Sequence, residues 1–301
     1  MKPLFQLQND LKGHAGPIYD ASIDSINNRV FSLSADKIIS SWDLASGNNL
    51  PLNIKLVHSG YALCHTSDQQ IWYASLLGNI HVIDLNQRAE IKNFAYHKSP
   101  VFRIIEIPES NIIASADANG YLGLWDKKDL KNLAFVPLGS EKIREINYNP
   151  HLKSLCLGNY SGELLDVDFE TLNTRKIAIN NPEASPIHST SYLESKKIWL
   201  LGLKNGHLAS STENIKKGLH LPVHNFGIYG LLALDNEGIL VSCSRDKTIK
   251  VWNLHDFTLI QKVCFKEGGH NRSINGLKKL SEESFLSYGD DGLLKTWKLS
   301  K

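Results

Sequence analysis

Val241 to Leu254 reads V-S-C-S-R-D-K-T-I-K-V-W-N-L, and this stretch decides how the rest of the 301-residue chain is read. Small residues lead into a tight turn at Arg245-Asp246-Lys247, and an alternating strand, Thr248 to Leu254, then ends in Trp252-Asn253. Twenty-eight positions before Trp252 lies His224, just ahead of another apolar strand. Ser32-Leu-Ser-Ala-Asp36 with Trp42-Asp43 repeats the layout, and His14 stands at the same distance. It returns at Ser115-Ala-Asp-Ala-Asn119-Gly120 with Trp125-Asp126 and His97, and at Ser287-Tyr-Gly-Asp-Asp291-Gly292 with Trp297-Lys298 and His270. An internal repeat of this kind settles the architecture before any single residue is weighed.

With the Trp position as marker, the units end near Trp42, Ile83, Trp125, Val167, Ser211, Trp252 and Trp297, in steps of 41, 42, 42, 44, 41 and 45 residues. The three markers that are not Trp keep the turn glycine five positions earlier, at Gly78, Gly162 and Gly206. Each unit holds about four short alternating strands separated by Gly, Asn, Asp and Pro turn signals. No stretch reads as a helix of useful length; the nearest, Asn214 to Gly218, is too short and ends in Gly.

Gly13-His14 with Trp42-Asp43 resembles the WD40 repeat family, whose units open on Gly-His and close on Trp-Asp. His97 with Trp125-Asp126, His224 with Trp252-Asn253, and Gly269-His270 with Trp297-Lys298 match with one element altered. The resemblance covers the whole chain, 1–301, as a single domain. It implies an all-β fold, a seven-bladed propeller of four-stranded antiparallel blades. Only Lys-Leu-Ser-Lys follows Trp297, so the last unit lacks an outer strand, whereas Leu4-Phe5-Gln6-Leu7 belongs to no complete unit. The family closes its ring with the N-terminal segment, and residues 1–10 are expected to do so here, hiding edges that would otherwise invite aggregation.

The resemblance also gives the repeated His, Asp, Ser and Trp a structural task, a buried hydrogen-bond chain rather than a catalytic triad. A buried indole N–H and imidazole must be paired or cost several kcal/mol. His14, Asp36 and Trp42 fit the pattern, as do His224, Asp246 and Trp252, and His270, Asp291 and Trp297. Ser34 and Ser244 are expected as fourth members, and His97, Asn119 and Trp125 fit with Asn in place of Asp. No catalytic residue is assigned.

The composition narrows the function classes. Thirty-three Lys and Arg against thirty-one Asp and Glu leave a net charge of +2, too balanced to point at nucleic acid or an anionic membrane. Four scattered cysteines, Cys64, Cys156, Cys243 and Cys264, read as free thiols in a reducing compartment. The first residues lack the apolar core of a secretory signal, and no apolar run approaches the ~20 residues of a spanning helix. A soluble protein is expected, cytoplasmic, or nuclear if the source is eukaryotic. His58, Cys64 and His65 lie close in sequence, and His220-x3-His224 has ligand-like spacing only on a helix. Neither has helical context, so no metal and no cofactor is expected. There is no Gly-rich phosphate loop and no G-x-S-x-G.

If the repeats are scaffold, function lies on exposed variable positions. The resemblance places partner binding around the channel mouth, at the residues three and five after the blade-opening His and the one just before the turn Asp. These are Pro17, Tyr19 and Ala35; Tyr61, Leu63 and Leu76; Pro100, Phe102 and Ala118 in the first three blades. The fourth and fifth, aligned through Ile143 and Ile187, offer Lys142, Arg144 and Tyr160, then Pro186, His188 and Lys204. The last two offer Gly227, Tyr229 and Arg245, then Ser273, Asn275 and Asp290. Aromatics at Tyr19, Tyr61, Phe102, Tyr160 and Tyr229 and cations at Lys142, Arg144, Lys204 and Arg245, with His188, suit a binding hot spot. The expectation is a non-enzymatic scaffold, monomeric alone but part of a complex, holding a protein or peptide with an acidic or phosphorylated segment. The alternative is a metal-dependent hydrolase using the central channel. That would need several carboxylate, Asn or His ligands on innermost strands whose positions are mostly apolar or basic. Nucleic acid is disfavoured.

Overall fold

The computed structural model describes residues 3–149, 151–212 and 218–300, so most of the short 214–218 stretch weighed above lies outside the described residues. Seven four-stranded antiparallel sheets follow one another in chain order and form a seven-bladed β-propeller. Helical turns among the described residues are confined to two 3-10 segments, Asp235–Glu237 and Phe265–Glu267.

Burial explains why the inner strands lack the polar-apolar alternation of a one-sided sheet. Every residue of Ile239–Ser244 is buried, and so is every residue of Ile198–Leu203. Both faces of a blade are covered, one by the preceding blade and one by the next. The buried apolar side chains accordingly gather into seven clusters, each spanning one blade-to-blade interface. Trp72, Ala74 and Phe94 of the second blade, for instance, pack on Val101, Ile104 and Trp125 of the third. Outer strands have one wet edge and one wet face, and Asn49–Lys55 alternates exposed and half-buried along its length.

The innermost strands are Ile18–Asp24, Gly60–His65, Val101–Glu106, Ile143–Asn149, Ile187–Leu193, Ile228–Leu234 and Ile274–Ser281. Each carries a bulge between its first and third residues, where pairing to the next strand skips one position. A bulge adds a residue without a ladder partner and re-aims its side chain. The seven residues so displaced are Tyr19, Tyr61, Phe102, Arg144, His188, Tyr229 and Asn275.

Closure of the ring uses the strand Phe5–Lys12, which pairs antiparallel with Leu293–Leu299 as the outer strand of the last blade. It runs two residues beyond the boundary expected at position 10. Phe5 is buried edge-on against Phe285, with ring centroids 5.0 Å apart. The Gln261 carboxamide of the sixth blade brackets its backbone: Phe5 N–H donates to Oε1 at 2.8 Å, and Nε2 donates to Phe5 C=O at 3.0 Å. Phe5→Ala is therefore expected to cost about 3–5 kcal/mol, read as a fall in the denaturation midpoint. A loss below about 1 kcal/mol would show that closure does not rest on this strand.

Candidate functional site at the channel mouth

Four blades carry one hydrogen-bond relay. In the first, His14 Nδ1 lies 2.8 Å from Asp36 Oδ2 and Nε2 lies 2.7 Å from Ser32 Oγ, which accepts Trp42 Nε1–H at 2.8 Å. His224 repeats it with Asp246, Ser242 and Trp252 at 2.8, 2.8 and 2.9 Å. His270 does so with Asp291, Ser287 and Trp297 at 2.8, 2.9 and 2.9 Å. With the imidazole neutral, Nδ1–H donates to the carboxylate, Nε2 accepts the seryl O–H, and the seryl oxygen accepts the indole N–H. Burial alone would raise the Asp246 carboxyl, but the bonds from His224, Thr248 and the Asn225 backbone overcome it and hold the pKa well below the ordinary value.

Two members of this relay differ from expectation. Ser34 and Ser244 stay outside it; each donates its hydroxyl to the carbonyl of the inner loop, Gly16 and Phe226 respectively, and accepts the N–H of the turn Asp. The seryl members are instead Ser32 and Ser242, which stand directly beneath the ring and within reach of the indole. In the third blade the carboxylate is Asp117 rather than Asn119: His97 Nδ1 meets Asp117 Oδ2 at 2.9 Å, and Ser115 and Trp125 complete the chain. Asp117 occupies the strand position held by Ser34 in the first blade, opposite the first residue of the innermost strand. From there it reaches the same ring and also accepts the Asn119 and Tyr121 N–H groups. A carboxylate two residues ahead of Asn119 was the available signal.

The mouth is built by the bulges and by one recurring backbone bond. In each blade the residue before the turn donates its N–H to the carbonyl two residues ahead of the bulge. Ala35 to Pro17 (2.8 Å), Ala118 to Pro100 (2.9 Å) and Tyr160 to Lys142 (2.9 Å) are examples. Lys204 to Pro186, Arg245 to Gly227 and Asp290 to Ser273 continue the series. The second blade differs from the expected register. Leu76 donates to Ser59, so Ser59, Tyr61 and Leu76 are its mouth positions, and Leu63 is a buried strand residue whose N–H bonds Asp20 Oδ2 at 3.0 Å. Leu56, not His58, holds the place of the opening His. His65 and Cys64 serve opposite interfaces, His65 stacking on Phe31 of the first blade and Cys64 facing the third.

Tyr19, Tyr61, Phe102, Lys142, Arg144, His188, Tyr229 and Arg245 line one cavity of about 510 Å³. Tyr160 and Lys204 adjoin it through Lys142, which lies 4.6 Å above the Tyr160 ring, and through Lys204, 5.6 Å from that ring. The aromatics form an arc: Tyr19 meets Tyr61 edge-on at 4.9 Å, Tyr61 stacks on Phe102 at 5.5 Å, and His188 stacks on Tyr229 at 4.9 Å. Arg144 is held between Phe102 and Tyr229, 5.4 and 4.7 Å from their centroids. Burial lowers its pKa. Among the described residues Lys142, Arg144, Lys204 and Arg245 have no ion-pair partner. His188 is 3% exposed, and both its ring nitrogens lack a hydrogen bond. Burial, with Arg144, Lys204, Lys142 and Arg245 around it, pulls its pKa down to about 3.

Beneath lies a second set of charges that the motif did not reveal. Arg103 Nε bonds Glu145 Oε2 at 2.8 Å, and its Nη1 lies 3.4 Å from Asp20 Oδ1. Lys278 approaches Asp20 Oδ1 at 3.1 Å, and the Tyr288 hydroxyl donates to it at 3.0 Å. Desolvation works against the Arg103 charge, but Glu145 and Asp20 outweigh it and hold its pKa well above normal. These carboxylates face the channel and are already neutralised.

A seven-bladed propeller with a His-Asp-Ser-Trp relay in four blades defines a class of repeat protein, and comparison with known proteins agrees. The sequence model of the family described as "WD40: WD domain, G-beta repeat" matches residues 216–253. The chain is 23% identical over 194 residues to the cell division cycle protein cdt2 of Schizosaccharomyces pombe, covering 64% of this chain and 34% of that protein. It is 20% identical over 300 residues to human Striatin-3, covering 95% of this chain and 34% of the other. Over 63 residues it is 30% identical to the F-box/WD repeat-containing protein sel-10 of Caenorhabditis elegans, 21% of this chain and 10% of that one. The chain is thus similar to WD40-repeat proteins, and one of its seven units matches the family model directly. It spans about a third or less of the length of these relatives. No helix among the described residues is long and apolar enough to cross a membrane.

Asp117→Ala strands the His97 N–H in a buried site and is expected to cost about 1–3 kcal/mol, whereas Asn119→Ala costs under about 1. Equal losses in chemical denaturation would return the role to Asn119. The His188 ring gives a pH dependence of fixed sign. In the unfolded chain it takes a proton near its ordinary value of 6.5, in the folded protein not until about 3. The unfolded state holds the extra proton across that window. Stability is thus full above pH 6.5 and falls as the pH drops, by up to about 1.4 kcal/mol per unit. His188→Gln is expected to flatten the stability curve between about pH 6.5 and 4; an unchanged slope would refute the assignment.

Proposed function

We propose that this propeller is a non-enzymatic interaction module whose mouth holds an acidic or phosphorylated segment of a protein partner. The WD40 relationship supports the coarser reading, a protein-interaction scaffold. The finer one rests chiefly on Arg144, a desolvated guanidinium clasped by Phe102 and Tyr229 with no carboxylate paired to it among the described residues. A half-buried guanidinium without a counter-charge bears a desolvation cost, and a ligand carboxylate or phosphate would offset it with paired, charge-assisted bonds. Lys142, Lys204 and Arg245 extend the same field around the opening, and the aromatic arc supplies apolar contact beside it. Tyr and Arg are among the residue types in which interface energy concentrates.

The competing reading, hydrolysis in the channel, draws no support from Asp20 and Glu145. Both are occupied by Arg103, Lys278 or Tyr288, which leaves neither poised as a general base or an open ligand set. A reducing compartment such as the cytoplasm fits the four cysteines, none of them in a disulfide, with Cys64 buried and its thiol pushed up to about 12. Monomeric behaviour in isolation belongs to the same proposal.

The test is binding to immobilised peptide libraries centred on phosphoserine or phosphothreonine, on Asp and Glu, and on unmodified Ser and Thr. Wild type is compared with the Arg144→Glu/Arg245→Glu variant, its fold verified by near-UV circular dichroism. Anionic peptides should be selected and bound at least about tenfold more weakly by the variant, with affinity falling as salt rises. Equal retention of charged and neutral peptides, or equal binding by both proteins, would overturn the reading.

A further inference from the structure

We propose that the fifth blade holds a divalent transition-metal site made by Glu183, His207 and His220, apart from the mouth. Its three residues come from three segments. His207 opens the strand His207–Ser210, and His220 opens the three-residue outer strand His220–Pro222. The register pairs Ala209 with His220 and His207 with Pro222, so both imidazoles stand on one face of the blade as diagonal neighbours. Their rings lie 4.6 Å apart at an interplanar angle of 12°. Glu183 stands five residues before the bulge residue His188, the place where four other blades carry the relay His. One of its oxygens takes the Asn205 amide at 2.5 Å, leaving the other free. Ligand atoms of all three side chains lie within 4.8 Å of one another.

The second observation is that His207 Nδ1 and His220 Nε2 are buried and have no hydrogen-bond partner. A buried polar nitrogen without a partner carries the full desolvation penalty, and two of them beside a carboxylate call for a common occupant. An ion satisfies both lone pairs at once. Two imidazoles with one carboxylate select a borderline cation such as Zn²⁺ over Mg²⁺ or Ca²⁺, which prefer oxygen. Metal–ligand bonds of about 2.0–2.1 Å are shorter than the present spacing allows. Loading therefore turns the stacked rings about their Cβ–Cγ bonds until both lone pairs meet the ion. Asn205 holds Glu183 for that purpose, as outer partners of metal ligands do. The three protein ligands leave one tetrahedral position open to water or to a donor from a docked partner. The ion would tie the loop bearing Glu183 to an outer strand only three residues long.

The experiment uses the untagged full chain, stripped with chelator and titrated with Zn²⁺ by calorimetry in competition with a chelator of known affinity. One equivalent should bind at micromolar affinity or tighter and raise the thermal midpoint. His207→Gln and His220→Gln should each weaken binding at least about tenfold while the metal-free proteins unfold like wild type. X-ray absorption of the loaded protein should show two imidazoles and an oxygen. Absence of stoichiometric uptake, or uptake unchanged in both Gln variants, would overturn the proposal. Peptide selection at the mouth is read in chelator, so the two outcomes are independent.

Discussion

The burial of both faces of every blade is the constraint on which the rest of this protein depends. A sheet with two apolar faces has no stable existence alone, and seven of them satisfy one another only by closing into a ring. Closure covers the blade faces that an open array would leave bare at its two ends, and the first strand, taken into the last blade as its outer strand, ties those ends together. Around the channel the blades are also laced by polar links. Asp20 of the first blade reaches Leu63 N–H of the second, Arg103 of the third and Tyr288 of the seventh, while Asn147 of the fourth bonds Thr190 of the fifth at 2.8 Å. Such a network rigidifies the rim from which the mouth residues project.

The relay serves this packing rather than chemistry. It seats an imidazole, a seryl hydroxyl and an indole in a dry interior with each polar atom satisfied. Three blades solve the same problem differently. In the second, Leu56, Tyr73 and Ile83 replace the polar members, and Trp72 finds Gln70 Oε1 at 2.9 Å instead. In the fourth, Ser154 donates to Asp166, which Arg175 holds at 2.9 Å. In the fifth, Ser211 stands in the Trp position and accepts the Trp199 backbone N–H at 3.0 Å. Trp72, Ser154 and Ser211 thus keep local partners where the motif is lost, while ring nitrogens of His188, His207 and His220 in the fifth blade have none among the described residues.

Mouth and rim draw on opposite uses of the same backbone. Ladder pairing buries the strand residues, and the bulge at the start of each innermost strand frees one side chain from that pattern. Because this device recurs seven times at one height, unrelated residue types converge on one cavity without disturbing the core. The concentration of cations in the fourth to sixth blades, against Asp290 and Asn275 in the seventh, gives the cavity a polarity that the near-neutral net charge conceals.

Period, turn glycines and the surplus first strand were legible in the sequence because a repeat averages local signals over seven copies. The mouth positions were legible wherever an opening His anchored the count, and at Ile143 and Ile187 where the apolar pattern substituted for it. His58 misled the count in the second blade, since a lone His two residues from the true position looks like the motif when only spacing is available. Asp117 was missed for a related reason: spacing favours Asn119, and only the fold shows which side chain reaches the His97 ring. The Arg103–Asp20–Glu145 network and the stacked His207 and His220 were not readable at all. The network's members lie tens of residues apart and meet through ring curvature, and the two histidines come together only through the register of adjacent strands. The sequence by itself determined the number of blades, their order and the face that carries variable residues, because these follow from periodicity. Which charges are paired and which are left free was decided by tertiary structure alone, because pairing is a matter of distance across the channel.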